Sequence, residues 1–455
     1  MLNSFCESFR MSRTPSNKPK KSSVRHTRAI QRDQTKRPNT APPDPQVQAL
    51  LEQVLQPATF SQVAHFHQCG LRERILTLPV MVAFVLSLLW RHLGSIREGV
   101  RVLNEQGLLW TGPLPVSPQA VLQRLRTLPP ALFENILDDV LPEMQTRWKQ
   151  RQRPLPEAVA WALQHFSAVL ALDGSTLDAL SKKVGLLAQT PGNVLAGRMA
   201  ALLDIGSLLP RKLWYEENSK AHDQGFWEGA LGYVEPGMLL LFDLGFVNHG
   251  LFDRMCQEGI GFVTRAKSNA ALTEIRVLRV GENVRDCLVH LGKGKSTCEQ
   301  TLRLVAIKYR GKWYRYLTNV LDPQILPSVY VVALYWQRWR IEEAYLVVKR
   351  LLGLAYFACG AQNAIMVQVW ATWILYAVLT DLTDAVAEAL RQPLAMISVE
   401  MVYRGLYHFS QAYQRGLADD PVVYLARKAR VLSIIKAKRP KSLDSVRLLT
   451  NQLRP

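Results

Sequence analysis

From Val47 to about Arg151, apolar residues recur at three- and four-residue spacing between breaks at "CG", "LPV", "TGPLPVSP" and "TLPP", which predicts a run of amphipathic helices. Ser117 and Pro118 make an N-cap and first-turn pair for "QAVLQRLRTL", which follows "SIREGVRVLNEQG" across a short loop. A helix-turn-helix DNA reader and plain helix packing both fit that pair of helices. After Pro156 the texture changes. "FSAVLALDGSTL" reads as a buried strand ending at Asp173, and "GRMAALLDIGSLLPRKLWYEE" as two strands joined by a turn at Asp204-Ile-Gly206. "GMLLLFDLGFVN" reads as a strand ending at Asp243 and "GIGFVTRAK" as a fifth, with helices expected only later. From about Ser268 to Leu317, alternating runs predict an antiparallel β-rich insertion with a tight turn near Gly311. The remainder is helical and closes on the basic run "ARKARVLSIIKAKRPKS".

Two stretches, Ile75 to Trp90 and Ala364 to Leu379, are apolar nearly throughout. Both are shorter than a typical membrane span, one contains Pro79 and the other Gln368, so both are expected to be buried helices of a soluble chain with no membrane partner.

Composition adds a partner. The 455 residues carry a net charge of +19 with 48% hydrophobic content, enough for about three domains with sizeable cores and a strong pull on a polyanion, of which nucleic acid is the commonest. Residues 1–45, rich in Lys, Arg, Pro, Ser and Thr, read as a disordered basic arm, either a solubilising tail or a phosphate-contacting one. The six cysteines form no C-x-x-C pair, which points to a reducing compartment and to neither a zinc site nor a disulfide framework, and the N-terminus lacks the apolar core of a signal peptide. A cytoplasmic, nucleoid-associated protein is the expectation. "GKGKST", residues 292–297, lacks the earlier glycine of a phosphate loop and is expected to be a loop tip. His65 and His67 beside Cys69 have no partner pair downstream and are not assigned to a metal.

The candidate chemistry lies in "YWQRWRIEEAYLVVK", residues 335–349. At 100° per residue, Tyr335, Arg338, Glu342 and Lys349 share an arc of roughly 60°, beside an apolar stripe of Leu334, Ile341, Tyr345, Val348 and Leu352. Glu343 points away from that arc, about 100° further round. A solvated face with i,i+4 pairing explains the helix alone. Asp173 and Asp243, however, each follow a buried apolar run at the strand end where an α/β core opens its crevice, although either alone is also a common turn residue. Three carboxylates converging without His or Cys suit Mg²⁺ or Mn²⁺, and two such ions serve phosphodiester displacement. Asp204 is read as a turn residue without chemistry.

The spacing Y-x2-R-x3-E-x6-K, met by Tyr335, Arg338, Glu342 and Lys349 with "RWRIEE", resembles the signature of the insertion sequence 4 family of DDE transposases. "LDGSTL" at Asp173 and "FDLGF" at Asp243 resemble that family's two aspartate regions, so the likeness runs from about residue 165 to 360. Leu244 departs from it, standing where the family usually has arginine. The resemblance implies a ribonuclease H-like core interrupted by a β-rich insertion, with Asp173, Asp243 and Glu342 as catalytic metal ligands for two Mg²⁺ or Mn²⁺ ions. It implies DNA contacts by Tyr335, Arg338, Lys349 and Trp339, and base stacking by Trp313 or Tyr314 if the second strand is cut through a hairpin; core packing is the alternative for that last pair. The expected fold class is α/β, with a disordered arm (1–45), a helical DNA-binding domain (46–155), the first part of the core (156–267), the insertion (268–317), the second part with the Glu342 helix (318–385) and a helical C-terminal region with a basic tail (386–455). The implied function is cut-and-paste transposition: binding of terminal inverted repeats in double-stranded DNA, cleavage, and transfer of the freed end to target DNA by a homodimer. A catalytically silent DNA-binding relic or repressor, and a structure-specific nuclease with the same core, remain alternatives.

Overall fold

The structure is a computed structural model that describes residues 45–72, 74–177, 197–218, 221–294, 296–309, 311–354 and 359–436. The expected basic arm, up to residue 44, and the basic tail after residue 436 lie outside the described residues. Among the described residues seven helices come first: α1 (Pro45–Ser61), α2 (Val63–Gln68), α3 (Leu78–Trp90), α4 (Ile96–Glu105), α5 (Pro118–Thr127), α6 (Ala131–Gln150) and α7 (Glu157–His165). Their starts follow local chemistry. Ser95 Oγ accepts from Glu98 N at 3.1 Å and Ser117 Oγ from Ala120 N at 3.2 Å, each satisfying a first-turn N–H that has no helical partner. On α5 Val121 and Leu125 are buried and Leu122 packs partly against the core, while Gln119, Ala120, Gln123, Arg126 and Thr127 are exposed. The apolar α3 is buried along nearly its whole length, as its composition predicts.

A mixed sheet follows, built from β1 (Val169–Leu177), β2 (Gly197–Asp204), β3 (Pro210–Glu216), β4 (Leu239–Phe242), β5 (Gly261–Arg265), β6 (Leu272–Gly281), β7 (Val284–Lys293), β8 (Ser296–Thr297), β9 (Leu302–Tyr309) and β10 (Lys312–Thr318). The strands lie in the order β3-β2-β1-β4-β5-β10-β9-β7-β6, with β8 on the end of β7. β1, β4 and β5 run parallel, and every other pairing is antiparallel. The strands of the expected insertion therefore continue the same sheet, because β10 pairs with β5 on one side and β9 on the other. "GKGKST" falls at the β7–β8 hairpin, a loop tip as its sequence predicts.

Two expectations are corrected. β1 does not end at Asp173 but runs to Leu177, because antiparallel pairing with β2 continues to Leu177↔Gly197 after parallel pairing with β4 has stopped at Leu172↔Phe242. Nor do helices wait until after the sheet. α8 (Trp227–Leu231) follows β3, and α9 (His249–Gln257), capped by Asn248, makes the crossover that parallel β4 and β5 require. Asp204 is the expected turn residue: its Oδ1 accepts from Ser207 N at 2.7 Å and Ser207 Oγ at 3.0 Å.

The insertion strands are pinned by a buried ion pair. Arg303 on β9 donates to both carboxylate oxygens of Asp286 on β7, at 2.8 and 2.6 Å, and to Leu326 O at 2.7 Å; Ser328 Oγ donates to Asp286 Oδ2 at 2.6 Å. Ser328 opens α10 (Ser328–Gln337), which is followed by α11 (Trp339–Leu346) and a π-helical turn, Val347–Leu351. The segment read as one straight helix is thus interrupted twice. At Arg338 the hydrogen bonds shorten to Arg338 N–Tyr335 O and Ile341 N–Arg338 O, and from Val347 they lengthen to Leu352 N–Val347 O. The expected apolar stripe survives both breaks, since Leu334, Ile341, Tyr345, Val348 and Leu352 are all buried.

The last helices among the described residues are α12 (Gln362–Ala389), α13 (Val399–Gln414) and α14 (Pro421–Arg427). α12 is long and apolar enough to cross a membrane by length and composition, but 78% of its most apolar window is buried inside the protein. Arg147, Arg151 and Arg153 from the end of α6 and the residues after it tie it down through Asp381 and Asp384.

Candidate functional site

Strand register brings the first two carboxylates together. Because Leu172 lies opposite Phe242 in the parallel β1–β4 ladder, Asp173 and Asp243 are the next residues on adjacent strands, at the carboxyl end where the strands part. Gly174 N donates to Asp173 Oδ1 at 2.9 Å, and Gly245 N to Asp243 Oδ1 at 2.8 Å, so backbone amides fix one oxygen of each. The third carboxylate arrives from α11. Tyr345 Oη donates to Asp173 O at 2.7 Å and locks that helix onto β1.

Arg338 joins the groups. Its Nη1 donates to Asp173 Oδ2 at 2.8 Å and its Nη2 to Glu342 Oε1 at 3.1 Å. The guanidinium carbon lies 5.8 Å from the ring centre of Tyr335 and 5.6 Å from that of Trp339. Glu343 faces elsewhere, paired with Arg340 at 3.0 Å and Lys436 at 3.1 Å. Lys349 reaches β1 beyond Asp173, donating to Ser175 Oγ and Thr176 O at 2.6 Å each.

The carboxylates act on one another. Burial pushes the Asp173 carboxyl up to about 6; Arg338 opposes the shift, while the charges of Asp243 and Glu342 add to it. Burial likewise raises the Tyr335 phenol, whose ring packs 5.1 Å from that of Tyr316. Of the residues assigned to DNA, Tyr335 is only 5% exposed, whereas Trp339 and Trp313 are 56% and 50% exposed. Tyr314 is partly buried, its ring 6.5 Å from Tyr309.

The sequence reading missed a fourth carboxylate. Asp223 lies beside Gly174 and Gly245, which follow Asp173 and Asp243 by one and two positions, and is paired with Arg198 of β2. A Cβ on Gly245 would fall 2.8 Å from Asp223 Oδ2, and one on Gly174 would collide with Asp223 Oδ1, so both positions must lack a side chain for Asp223 to occupy this place. The available signal was the pair of glycines in "LDG" and "DLG"; "AHDQGF" around Asp223 carries no strand pattern of its own.

An all-oxygen donor set around a crowded negative charge suits a hard divalent cation. The spacing does not yet close on one: no group of three His, Cys, Asp or Glu side chains among the described residues is placed to hold a metal ion, and the Arg338 guanidinium stands between Asp173 and Glu342. His65 bonds to Asn135 Nδ2 at 3.1 Å, in keeping with a structural place.

Comparison with known proteins finds likenesses over the span that carries this site. The sequence model of the transposase DDE domain matches residues 166–378, the span from just before β1 into α12. The Sinorhizobium fredii protein named "Putative transposase y4zB" is 31% identical over 221 residues, which cover 47% of this chain and 60% of that protein. The chain thus matches under two thirds of that relative's length. Both likenesses support a transposase, and the mixed α/β architecture with its large sheet is consistent with one.

Proposed function

We propose that this protein is a cut-and-paste DNA transposase of the insertion sequence 4 type, with Asp173, Asp243 and Glu342 as its catalytic carboxylates. The observation that carries this reading is the pairing of Asp173 on β1 and Glu342 on α11 through Arg338, with Asp243 beside Asp173 at the end of β4, within the span that resembles a transposase DDE domain. The order β3-β2-β1-β4-β5, with β1, β4 and β5 parallel and β2 antiparallel to both β1 and β3, supports a ribonuclease H-like core.

Asp173, Asp243 and Glu342 would hold Mg²⁺ or Mn²⁺, two ions in the full site, which supply an activated oxygen nucleophile and charge neutralisation at phosphate. Hydrolysis of one phosphodiester at the element's end leaves a 3′-hydroxyl. That hydroxyl then attacks a phosphodiester of target DNA, forming the new bond while the target's own 3′-oxygen departs and takes up a proton. Arg338, with its planar fork, and Lys349, as a point charge, would steady the phosphates beside the carboxylates. The exposed rings of Trp339 and Trp313 offer stacking faces for unpaired bases. The helices before β1, the basic arm and the net charge of +19 supply affinity for duplex ends, and synapsis of two ends calls for a homodimer. A protein acting on the chromosome belongs in the bacterial cytoplasm, at the nucleoid.

The test is a strand-transfer assay with purified protein, the DNA segments flanking its own gene and a target plasmid. Mg²⁺-dependent joining of a flanking 3′ end to the plasmid is expected. Cutting without joining would make the protein a structure-specific nuclease, and binding without cutting a repressor or relic.

A further inference from the structure

We propose that Arg338 is a displaceable internal cation. In the free protein it closes the carboxylate site, and it gives that place to a divalent metal ion when a DNA phosphate offers it another partner. The proposal rests on the carboxylate-site reading above and adds a coupling to it: metal and DNA bind cooperatively through one side chain.

Four observations carry it. The guanidinium is spread across two carboxylates from different elements, with Nη1 on Asp173 and Nη2 on Glu342, and so ties up two of the three ligands a metal would need. Its resting place is incomplete, because Nε is buried with no hydrogen-bond partner although the side chain is only 6% exposed. Its backbone lies at the shortened turn between α10 and α11, outside both regular helices. Finally, it rests against two aromatic rings of unlike exposure: Tyr335 is buried, whereas Trp339 is more than half exposed and offers a second face for the guanidinium nearer solvent.

Competition follows from charge. A divalent cation and Arg338 cannot both take Asp173 Oδ2 and Glu342 Oε1, so metal entry in the free protein must break two charge-assisted hydrogen bonds. A phosphate oxygen replaces those bonds with equivalent ones for the released guanidinium. By linkage, DNA then raises metal affinity by the same factor by which metal raises DNA affinity. Lys349 is held by Ser175 and Thr176 rather than by a carboxylate of the site, so the exchange belongs to Arg338.

The experiment measures Mn²⁺ binding to the full chain by electron paramagnetic resonance, with and without a short duplex of arbitrary sequence, whose phosphates suffice. The parent protein is expected to bind Mn²⁺ at least about 5-fold more tightly with the duplex present. Arg338→Gln should bind Mn²⁺ at least about 5-fold more tightly than the parent without DNA and gain little from it. Arg338→Lys, which keeps the charge but lacks a fork to span both carboxylates, should fall between and guards against a folding defect in the glutamine variant. Adding Asp173→Asn to Arg338→Gln should remove the gain. If Arg338→Gln and Arg338→Lys bind Mn²⁺ no better than the parent while Asp173→Asn abolishes binding, the metal site stands and the exchange is refuted. If Mn²⁺ binding is insensitive to Asp173 in every background, the carboxylate site and the exchange both fail.

Discussion

Arg338 and Asp173, 165 positions apart in the chain, meet at 2.8 Å in a buried ion pair that ties the Glu342 helix to the strand carrying the first carboxylate. Every charge in the apolar segment 335–349 has a partner: Arg338 bonds Asp173 and Glu342, Lys349 reaches the end of β1, and Glu343 pairs on the far side with Arg340 and Lys436.

The site makes stability depend on pH. Burial, opposed by Arg338 and aided by Asp243 and Glu342, holds the folded Asp173 carboxyl at about 6, while an unfolded aspartate titrates near about 3.9. The folded state therefore binds the proton more tightly, and Asp173 lowers stability as pH rises between those two values. Asn at this position cannot ionise. Between pH 4 and 7 in metal-free buffer, the unfolding free energy of Asp173→Asn relative to the parent should rise by about 1–3 kcal/mol. Urea titrations at the two pH values check this, and a difference that does not change with pH would refute it.

The polar knot beneath the insertion strands should be costly to break. Asp286→Ala leaves the fully buried Arg303 without its counter-ion and should destabilise the protein by about 3–5 kcal/mol in denaturant unfolding. A loss below about 1 kcal/mol would mean that water reaches Arg303.

Trp313 and Trp339 are exposed enough to be removed at little cost in stability. In the proposed role, each Ala variant should keep its melting temperature and lose about 1–3 kcal/mol of affinity for DNA with unpaired bases at its end. Lowered melting temperature with unchanged affinity would make them packing residues.

Residues 1–44, which lie outside the described residues, carry many of the basic side chains. Their deletion should weaken DNA binding uniformly across sequences and flatten its salt dependence, since only phosphate contacts are lost. A changed sequence preference would show that the arm reads bases.

Much of the site was legible because burial writes itself into sequence. "AVLALD" and "MLLLFD" marked Asp173 and Asp243 by the apolar runs before them, and the four-residue spacing of Arg338 and Glu342 agrees with their pairing, whereas Lys349 reaches Ser175 and Thr176 instead. What escaped depends on pairing rather than composition. β1 outlasts its aspartate because β2 goes on pairing with it after β4 stops, and nothing in "GSTL" reports which neighbour persists. The shortened turn at Arg338 and the π turn after Leu346 leave the apolar stripe intact, so the stripe could not reveal them. Asp223 enters through the space left by two glycines, a vacancy visible only when two distant segments are laid together.

The most direct measurement compares Glu342→Ala with Glu343→Ala in a metal-dependent nicking and strand-transfer assay, with DNA binding followed separately without metal. Glu342 reaches the Arg338–Asp173 pair, while its neighbour Glu343 is turned to Arg340 and Lys436. Glu342→Ala should lower both reactions by on the order of 10³-fold or more while metal-free DNA binding stays near that of the parent, and Glu343→Ala should change little. Asp173→Ala and Asp243→Ala should match Glu342→Ala, and combining them should add nothing, because the three act as one unit. Full Mg²⁺-dependent cleavage by Glu342→Ala would contradict the assignment of the carboxylate site.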